Sequence, residues 1–244
     1  MLSGSPVAVT AEQLLDRFVA SAPRQRRSLL PQLKARQQEL VGLIEDHLDR
    51  LDPTGDDWAA GTLIQLFLEG ADPQRVQAWW ERYPEGWLAA LSGCGLDYAP
   101  VQRALAEQRF EQADRLTSER LRQLAGEAAE RRGYVYYSEV PPMPGVDLQS
   151  LDRLWVCYSQ GRFGFSVQAR LLRGCNDRWE QLWPRIGWKA AGIWTRYPGS
   201  FTWSLDAPEG HMPLVNQLRG VRLMDALLNH PSLQQRLAAA APGR

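Results

Sequence analysis

DLQSLDRLWVCYSQGRFGFSVQ, residues 147–168, is typical of a helix, a tight corner and the start of a second helix. Its apolar residues recur at spacings of three and four and form one helical stripe that can face a core: Leu148, Leu151, Leu154, Trp155 and Tyr158. Gly161 is expected to end the first helix, and Ser166 is expected to cap the second. This segment therefore predicts part of a helical core.

The corner between these two helices carries two aromatic rings. Phe163 and Phe165 flank Gly164, where the backbone can approach a ligand closely because glycine has no side chain. Two interpretations are open. The rings are either part of a ligand-binding surface or plugs at the base of the domain.

A second segment, IGWKAAGIWTRYPGSFTWSLDAPEGHMP at residues 186–213, lacks a helical period. The stretch from residue 194 to residue 214 has no predicted helix and is longer than an ordinary connection between helices. Its aromatic residues need a surface to cover, so we expect a loop that folds over a ligand; the alternative is a loop packed permanently on its own domain. The candidate ligand contacts are Trp188, Trp194, Tyr197, Phe201 and Trp203.

Ordered strings in both segments resemble the genomes-uncoupled-four family, and a cyanobacterial member is expected. These strings are LW at 154–155, YSQGRFGFSVQ from Tyr158, GW at 187–188 and AP-x-GH-x-P at 207–213. A weaker match includes Phe110, Ala113, Asp114 and Thr117. The resemblance extends over about residues 98–230.

This resemblance implies a non-catalytic, porphyrin-binding regulator of magnesium chelatase in chlorophyll biosynthesis and photosynthesis. The implied ligands are protoporphyrin IX and magnesium protoporphyrin IX. The implied partner is the large porphyrin-binding subunit of the chelatase, which the protein stimulates. A monomer is expected, and peripheral association with a membrane stays open.

A polar row is predicted on the helix that follows Pro213. Asn216, Arg219 and Arg222 are spaced i, i+3 and i+6, so they share one side of that helix. The two guanidinium groups can each pair with one propionate of a tetrapyrrole, while Asn216 donates or accepts near the macrocycle. The alternative is an ordinary solvated helix face.

His211 is interpreted as a residue that pins the loop by hydrogen bonding rather than as an axial metal ligand. One histidine does not make a metal site, and the three cysteines are far apart in sequence. No nucleophile has an evident base partner, and no phosphate-binding glycine motif occurs. The sequence therefore predicts neither a metal site nor catalysis.

The whole chain is predicted to be all-α and to have two parts. Residues 1–90 form a helical-repeat-like bundle, residues 91–235 form a cup-shaped core domain, and residues 236–244 form a flexible tail. Within the bundle, helix starts are expected at Thr10, at Asp56 or Asp57 and at Asp72, and one helix is expected at residues 31–51. A helical hairpin at 98–125 is expected to open the core domain.

Charge and composition limit the possible functions. The 28 basic and 28 acidic side chains cancel, which argues against a nucleic-acid binder with a large phosphate footprint. No apolar run reaches the roughly 18 residues that a membrane span needs, and the first residues lack a secretory or transit pattern, so a cytoplasmic location is expected. A helical protein–protein interaction module without a small ligand remains the alternative function.

Overall fold

The computed structural model describes residues 9–214 and 221–239. Helices dominate it, as predicted, and short ones build the N-terminal part. Their bounds are α1 Ala11–Ala20, α2 Pro23–Ala35, α3 Gln37–Leu40, α4 Ile44–Leu48, α5 Trp58–Gly70 and α6 Pro73–Arg82.

Side-chain caps fix the starts of three of these helices. Thr10 and Gln13 form a reciprocal capping box at α1. The Asp57 carboxylate accepts the Ala59 N–H at α5, and that of Asp72 accepts the Gln74 N–H at α6. These starts confirm the sequence predictions, since a side-chain oxygen satisfies an amide that the helix leaves unpaired.

The predicted single helix at residues 31–51 is wrong. The chain bends at Arg36 and again after Leu40, which divides this stretch among α2, α3 and α4. Both α3 and α4 pack against α5, and the bends allow both contacts. Helical spacing alone could not reveal these bends.

The second part contains the remaining elements. They are α7 Ala99–Ala106, α8 Phe110–Ala125, α9 Glu127–Arg132, a 3-10 turn Tyr137–Glu139, α10 Gly145–Cys157, α11 Phe165–Gly174, α12 Trp179–Arg185, β1 Lys189–Ala190, β2 Ile193–Trp194, α13 Arg222–Leu228 and α14 Pro231–Ala239. The helical hairpin predicted at 98–125 corresponds to α7 and α8. The strands form a small antiparallel hairpin that the sequence did not predict.

The start of α11 corrects a second expectation. Ser166 is not the cap, because α11 already begins at Phe165 after Gly164, whose φ of 129° suits glycine. The Ser166 N–H instead donates to the Asp152 carboxylate at 2.8 Å. A buried acid from the neighbouring α10 thus accepts one of the backbone amides at the start of α11.

The C-terminal helix α14 reaches into the predicted tail. Arg236, at the predicted start of that tail, forms ion pairs with Asp152 and Asp56, each at 2.8 Å. Residues 236–239 are therefore helical and tied to both parts of the chain, whereas residues 240–244 lie outside the described residues.

The two parts share an interface along α5. Gly61 faces the backbone of Cys157 so closely that a Cβ atom there would lie 2.2 Å from the Cys157 carbonyl oxygen. The Gln65 side chain donates to the carbonyl oxygens of Leu105 and Tyr158, at 3.0 and 2.7 Å. The N-terminal bundle therefore packs directly on the helices that follow it.

Within the described ranges 9–214 and 221–239, no helix is long and apolar enough to cross a membrane.

Candidate functional site

An open cavity of about 760 Å³ lies between α8, the segment after α9 and the loop after β2. Its volume falls in the range typical of ligand-binding clefts. The apolar and aromatic lining residues are Leu121, Tyr134, Val135, Trp194, Tyr197, Leu214 and Leu223. The other lining residues are Arg115, Ser118, Glu119, Arg122, Gly133, Thr195 and Arg196.

The cavity lining has an excess of positive charge. Three arginines and one glutamate line it. Arg115 pairs with Glu111, but neither Arg122 nor Arg196 forms an ion pair with an acidic side chain in the described part of the chain. Two guanidinium groups are therefore available to carboxylates of a ligand, which they can grip in a planar, two-pronged geometry.

Trp194 lines one wall of the cavity and is backed by other tryptophans. Trp194 is 40% exposed and packs on Trp183, with ring centroids 5.4 Å apart. Behind it, Trp183 stacks on Trp188 at 5.7 Å and on Trp179 at 5.2 Å. Trp194 offers its ring to the cavity, whereas Trp188 is buried and does not line it.

The other aromatic residues of the predicted loop divide in the same way. Tyr197 lines the cavity, while Phe201 is buried and packs on the His211 ring with centroids 4.6 Å apart. Trp203 stacks on Phe201 at 5.5 Å and donates its indole N–H to the Pro198 carbonyl oxygen at 3.2 Å. Phe201 and Trp203 therefore pack within the loop itself, whereas Trp194 and Tyr197 line the cavity.

His211 fastens this loop through both ring nitrogens. Nδ1 lies 2.7 Å from the Ile186 carbonyl oxygen, and Nε2 accepts the Thr202 N–H at 3.3 Å. This geometry requires the neutral ring, and burial lowers the pKa of His211 accordingly. The interpretation of His211 as a hydrogen-bonding pin is confirmed.

Phe163 and Phe165 lie in the core rather than in the cavity lining. Both are fully buried, and Phe163 packs on Phe110 with centroids 5.8 Å apart. The glycine between them still has a local role, because the Gly164 N–H donates to the Met212 carbonyl oxygen at 3.0 Å. The corner thus anchors the end of the aromatic loop, and its two rings lie outside the cavity lining.

Of the predicted polar row, only Arg222 can be placed. Asn216 and Arg219 lie outside the described residues. Arg222 begins α13 and is exposed, with its guanidinium carbon 5.5 Å from the Tyr137 ring centroid. It is absent from the cavity lining, although the next residue, Leu223, is part of it.

The wall formed by α8 was missed from the sequence. Arg115, Ser118 and Arg122 follow one another at i, i+3 and i+7, so they lie on one side of α8. This spacing of polar residues is visible in the sequence. A polar row on a helix resembles an ordinary solvated face, however, and only the fold shows that this row faces Trp194 and Tyr197.

Comparisons with known proteins agree on one family. A family model described as GUN4-like matches residues 91–231. The Ycf53-like protein of Synechocystis sp. is 41% identical over 195 residues, which cover 80% of this chain and 84% of that protein. The "Tetrapyrrole-binding protein, chloroplastic" of Arabidopsis thaliana is 37% identical over 141 residues, or 54% of this chain and 53% of that protein.

Solved structures lead to the same family. The structure of GUN4 from Chlamydomonas reinhardtii superposes with a TM-score of 0.57 at 35% identity, covering 60% of this chain and 93% of that one. The ligand-free structure of Arabidopsis thaliana GUN4 gives a TM-score of 0.53 at 37% identity, covering 57% and 99%. This chain therefore belongs to the GUN4-like family.

Proposed function

We propose that this protein binds a tetrapyrrole in the cavity between α8 and the aromatic loop. The observation that carries the proposal is the lining itself, in which aromatic side chains lie beside Arg122 and Arg196, for which the described residues supply no acidic partner. The Arabidopsis relative named as a tetrapyrrole-binding protein supports the same ligand class.

The lining residues match the chemistry of such a ligand. Trp194, Tyr197 and Leu121 offer apolar surface to a flat macrocycle, and burial of apolar area contributes about 25 cal/mol per Å² before ordering costs. Arg122 and Arg196 are placed to meet the propionates. Micromolar or tighter affinity is therefore expected without a covalent bond.

The proposed ligands are protoporphyrin IX and magnesium protoporphyrin IX. Binding that depends on the macrocycle face and its carboxylates does not require a bond from the protein to the central metal. His211 supports this view, because both of its nitrogens are engaged by the backbone. Both forms of the porphyrin are therefore expected to bind with similar affinity.

We further propose a non-catalytic role, in which the protein stimulates magnesium chelatase through contact with its large porphyrin-binding subunit. A protein that binds both substrate and product can accelerate another enzyme if it relieves slow delivery or release, or if its affinity differs between states of that enzyme. Ile193, the first residue of β2 and next to Trp194 of the cavity lining, is 73% exposed and is one candidate contact. A monomeric state and peripheral membrane association stay predictions.

A titration with protoporphyrin IX tests the proposed function. Binding predicts a shifted Soret band and quenched tryptophan emission that saturate together at one equivalent, because Trp194 lines the cavity. If neither signal changed at micromolar porphyrin, the tetrapyrrole proposal would be rejected. The alternative of a helical protein–protein interaction module would then be preferred.

A further inference from the structure

One buried carboxylate, that of Asp114 in α8, holds both ends of the loop segment that lines the cavity. Asp114 is 1% exposed. One of its oxygens accepts the Tyr197 hydroxyl at 3.1 Å, and the other accepts the Leu214 N–H at 2.6 Å. Tyr197 and Leu214 both line the cavity, whereas Asp114 does not, so it supports this wall from behind.

The surroundings of Asp114 leave its charge poorly compensated. The charged and titratable groups that influence it are Glu111 and Arg115 on its own helix and Tyr197 on the loop. Arg115 is paired with Glu111. Burial raises the pKa of Asp114 to about 7, although the hydrogen bonds from Leu214 and Tyr197 act in the opposite direction. Both protonation states are therefore populated near neutral pH.

The two protonation states hold the loop differently. An ionised carboxylate only accepts hydrogen bonds, so each oxygen can serve one of the two donors. Protonation removes the negative charge that strengthens both contacts. The added hydrogen also either faces the Leu214 N–H donor or requires the Tyr197 hydroxyl to turn from donor to acceptor. Loss of either contact loosens the cavity wall at Tyr197 or at Leu214.

We propose that Asp114 is a positioning residue for the ligand site, whose ionised form fixes Tyr197 and Leu214 in the geometry that binds the macrocycle. This inference rests on the proposed tetrapyrrole binding. It adds that affinity is coupled to a proton: because the ionised form binds better, binding releases a proton from Asp114, as reciprocal linkage requires.

The test measures protoporphyrin IX affinity by tryptophan quenching from about pH 6 to about pH 8.5, a window in which free propionates stay ionised. For the wild type we expect affinity to rise about tenfold through pH 7, the factor that one hydrogen bond to a charged group corresponds to. Asp114→Asn replaces one acceptor oxygen with a donor. Its affinity should stay low across the window, without the pH step.

A matched control and a second variant separate positioning from folding. Asp46→Asn alters an exposed aspartate in α4 and should keep the wild-type profile. Tyr197→Phe keeps the ring and removes only the hydroxyl. Because that hydroxyl lowers the pKa of Asp114, its loss should move the midpoint of the pH step upward and reduce affinity severalfold at high pH.

The outcomes are distinguishable. Wild-type protein that binds porphyrin with no pH step would overturn the role of Asp114 and leave the proposed function standing. So would a pH step that persists in Asp114→Asn, or a Tyr197→Phe midpoint that does not move. Wild-type protein that fails to bind at any pH would overturn the proposed function, and the inference with it.

Discussion

Replacement of Arg122 or Arg196 by alanine should weaken porphyrin binding by an amount that depends on how far each side chain is exposed. Arg122 is half-buried and Arg196 is exposed, and neither has an acidic partner in the described part of the chain. A hydrogen bond to a charged group contributes about 1.5–3 kcal/mol, and solvent screening places an exposed residue at or below the lower limit. We expect Arg122→Ala to cost about tenfold in affinity and Arg196→Ala about threefold.

The assay is a fluorescence titration with protoporphyrin IX and with its dimethyl ester. Esterification removes the charges that the arginines meet, so it should weaken the wild type strongly and the double alanine variant little. Lysine at either position should restore only part of the affinity, because it lacks the planar fork. The loss at the exposed Arg196 should shrink as ionic strength rises.

A control variant and one contradicting outcome test this interpretation. Arg24→Ala removes an exposed arginine of α2, outside the cavity lining, and should leave both titrations unchanged. If the wild type and the double variant were equally sensitive to the ester, Arg122 and Arg196 would not contact the propionates. Their role would then have to lie elsewhere, for example in contact with a protein partner.

Two further predictions concern the loop and the interface between the two parts. His211→Ala should leave the Ile186 carbonyl and the Thr202 N–H unpaired, which should lower the unfolding free energy by about 2 kcal/mol. It should weaken the binding of metal-free and magnesium porphyrins equally. Loss of binding of the magnesium form alone would indicate that His211 is a metal ligand. Because burial lowers the pKa of His211 in the fold, its contribution to stability should be full above about pH 6.5 and decline below it in wild-type urea denaturation, but not in the alanine variant. Gly61→Ala should lower the melting temperature by several degrees, because a Cβ atom there would lie 2.2 Å from the Cys157 carbonyl oxygen. The control Gly42→Ala, whose Cβ would have no atom within 4 Å, should change the melting temperature little. Equal effects of the two substitutions would exclude a close contact at Gly61.

Local signals in the sequence predicted most of the helices correctly. Caps at Thr10, Asp57 and Asp72 depend on neighbouring residues only, and the structure confirms them. The bends that divide residues 31–51 depend instead on how α3 and α4 pack on α5. The cap at Ser166 is wrong because α11 already begins at Phe165, and the Ser166 amide has its partner, Asp152, on another helix.

The candidate site was predictable only in part. Trp194 and Tyr197 line the cavity, and the aromatic content of their loop indicated this from the sequence. Composition could not separate them from Phe163, Phe165 and Trp188, because a ring that faces a ligand and a ring that fills a core have the same chemistry. Their burial decides the matter, and burial depends on the fold.

The wall formed by α8 could be recognised only from the tertiary structure, for a different reason. Arg122 belongs to a helix whose polar face has ordinary spacing, and nothing local indicates that the aromatic loop lies opposite. Asp114 is similar, since its two hydrogen-bond donors follow it by 83 and 100 residues. Such long-range contacts determine the site and leave little trace in local sequence pattern.

The most direct test of the proposed binding site is a crystal structure of the full chain with protoporphyrin IX. The macrocycle should lie between α8 and the aromatic loop, in contact with Trp194 and Tyr197, with its carboxylates directed towards Arg122 and Arg196. A porphyrin bound elsewhere on the protein, with this cavity empty, would contradict the assignment.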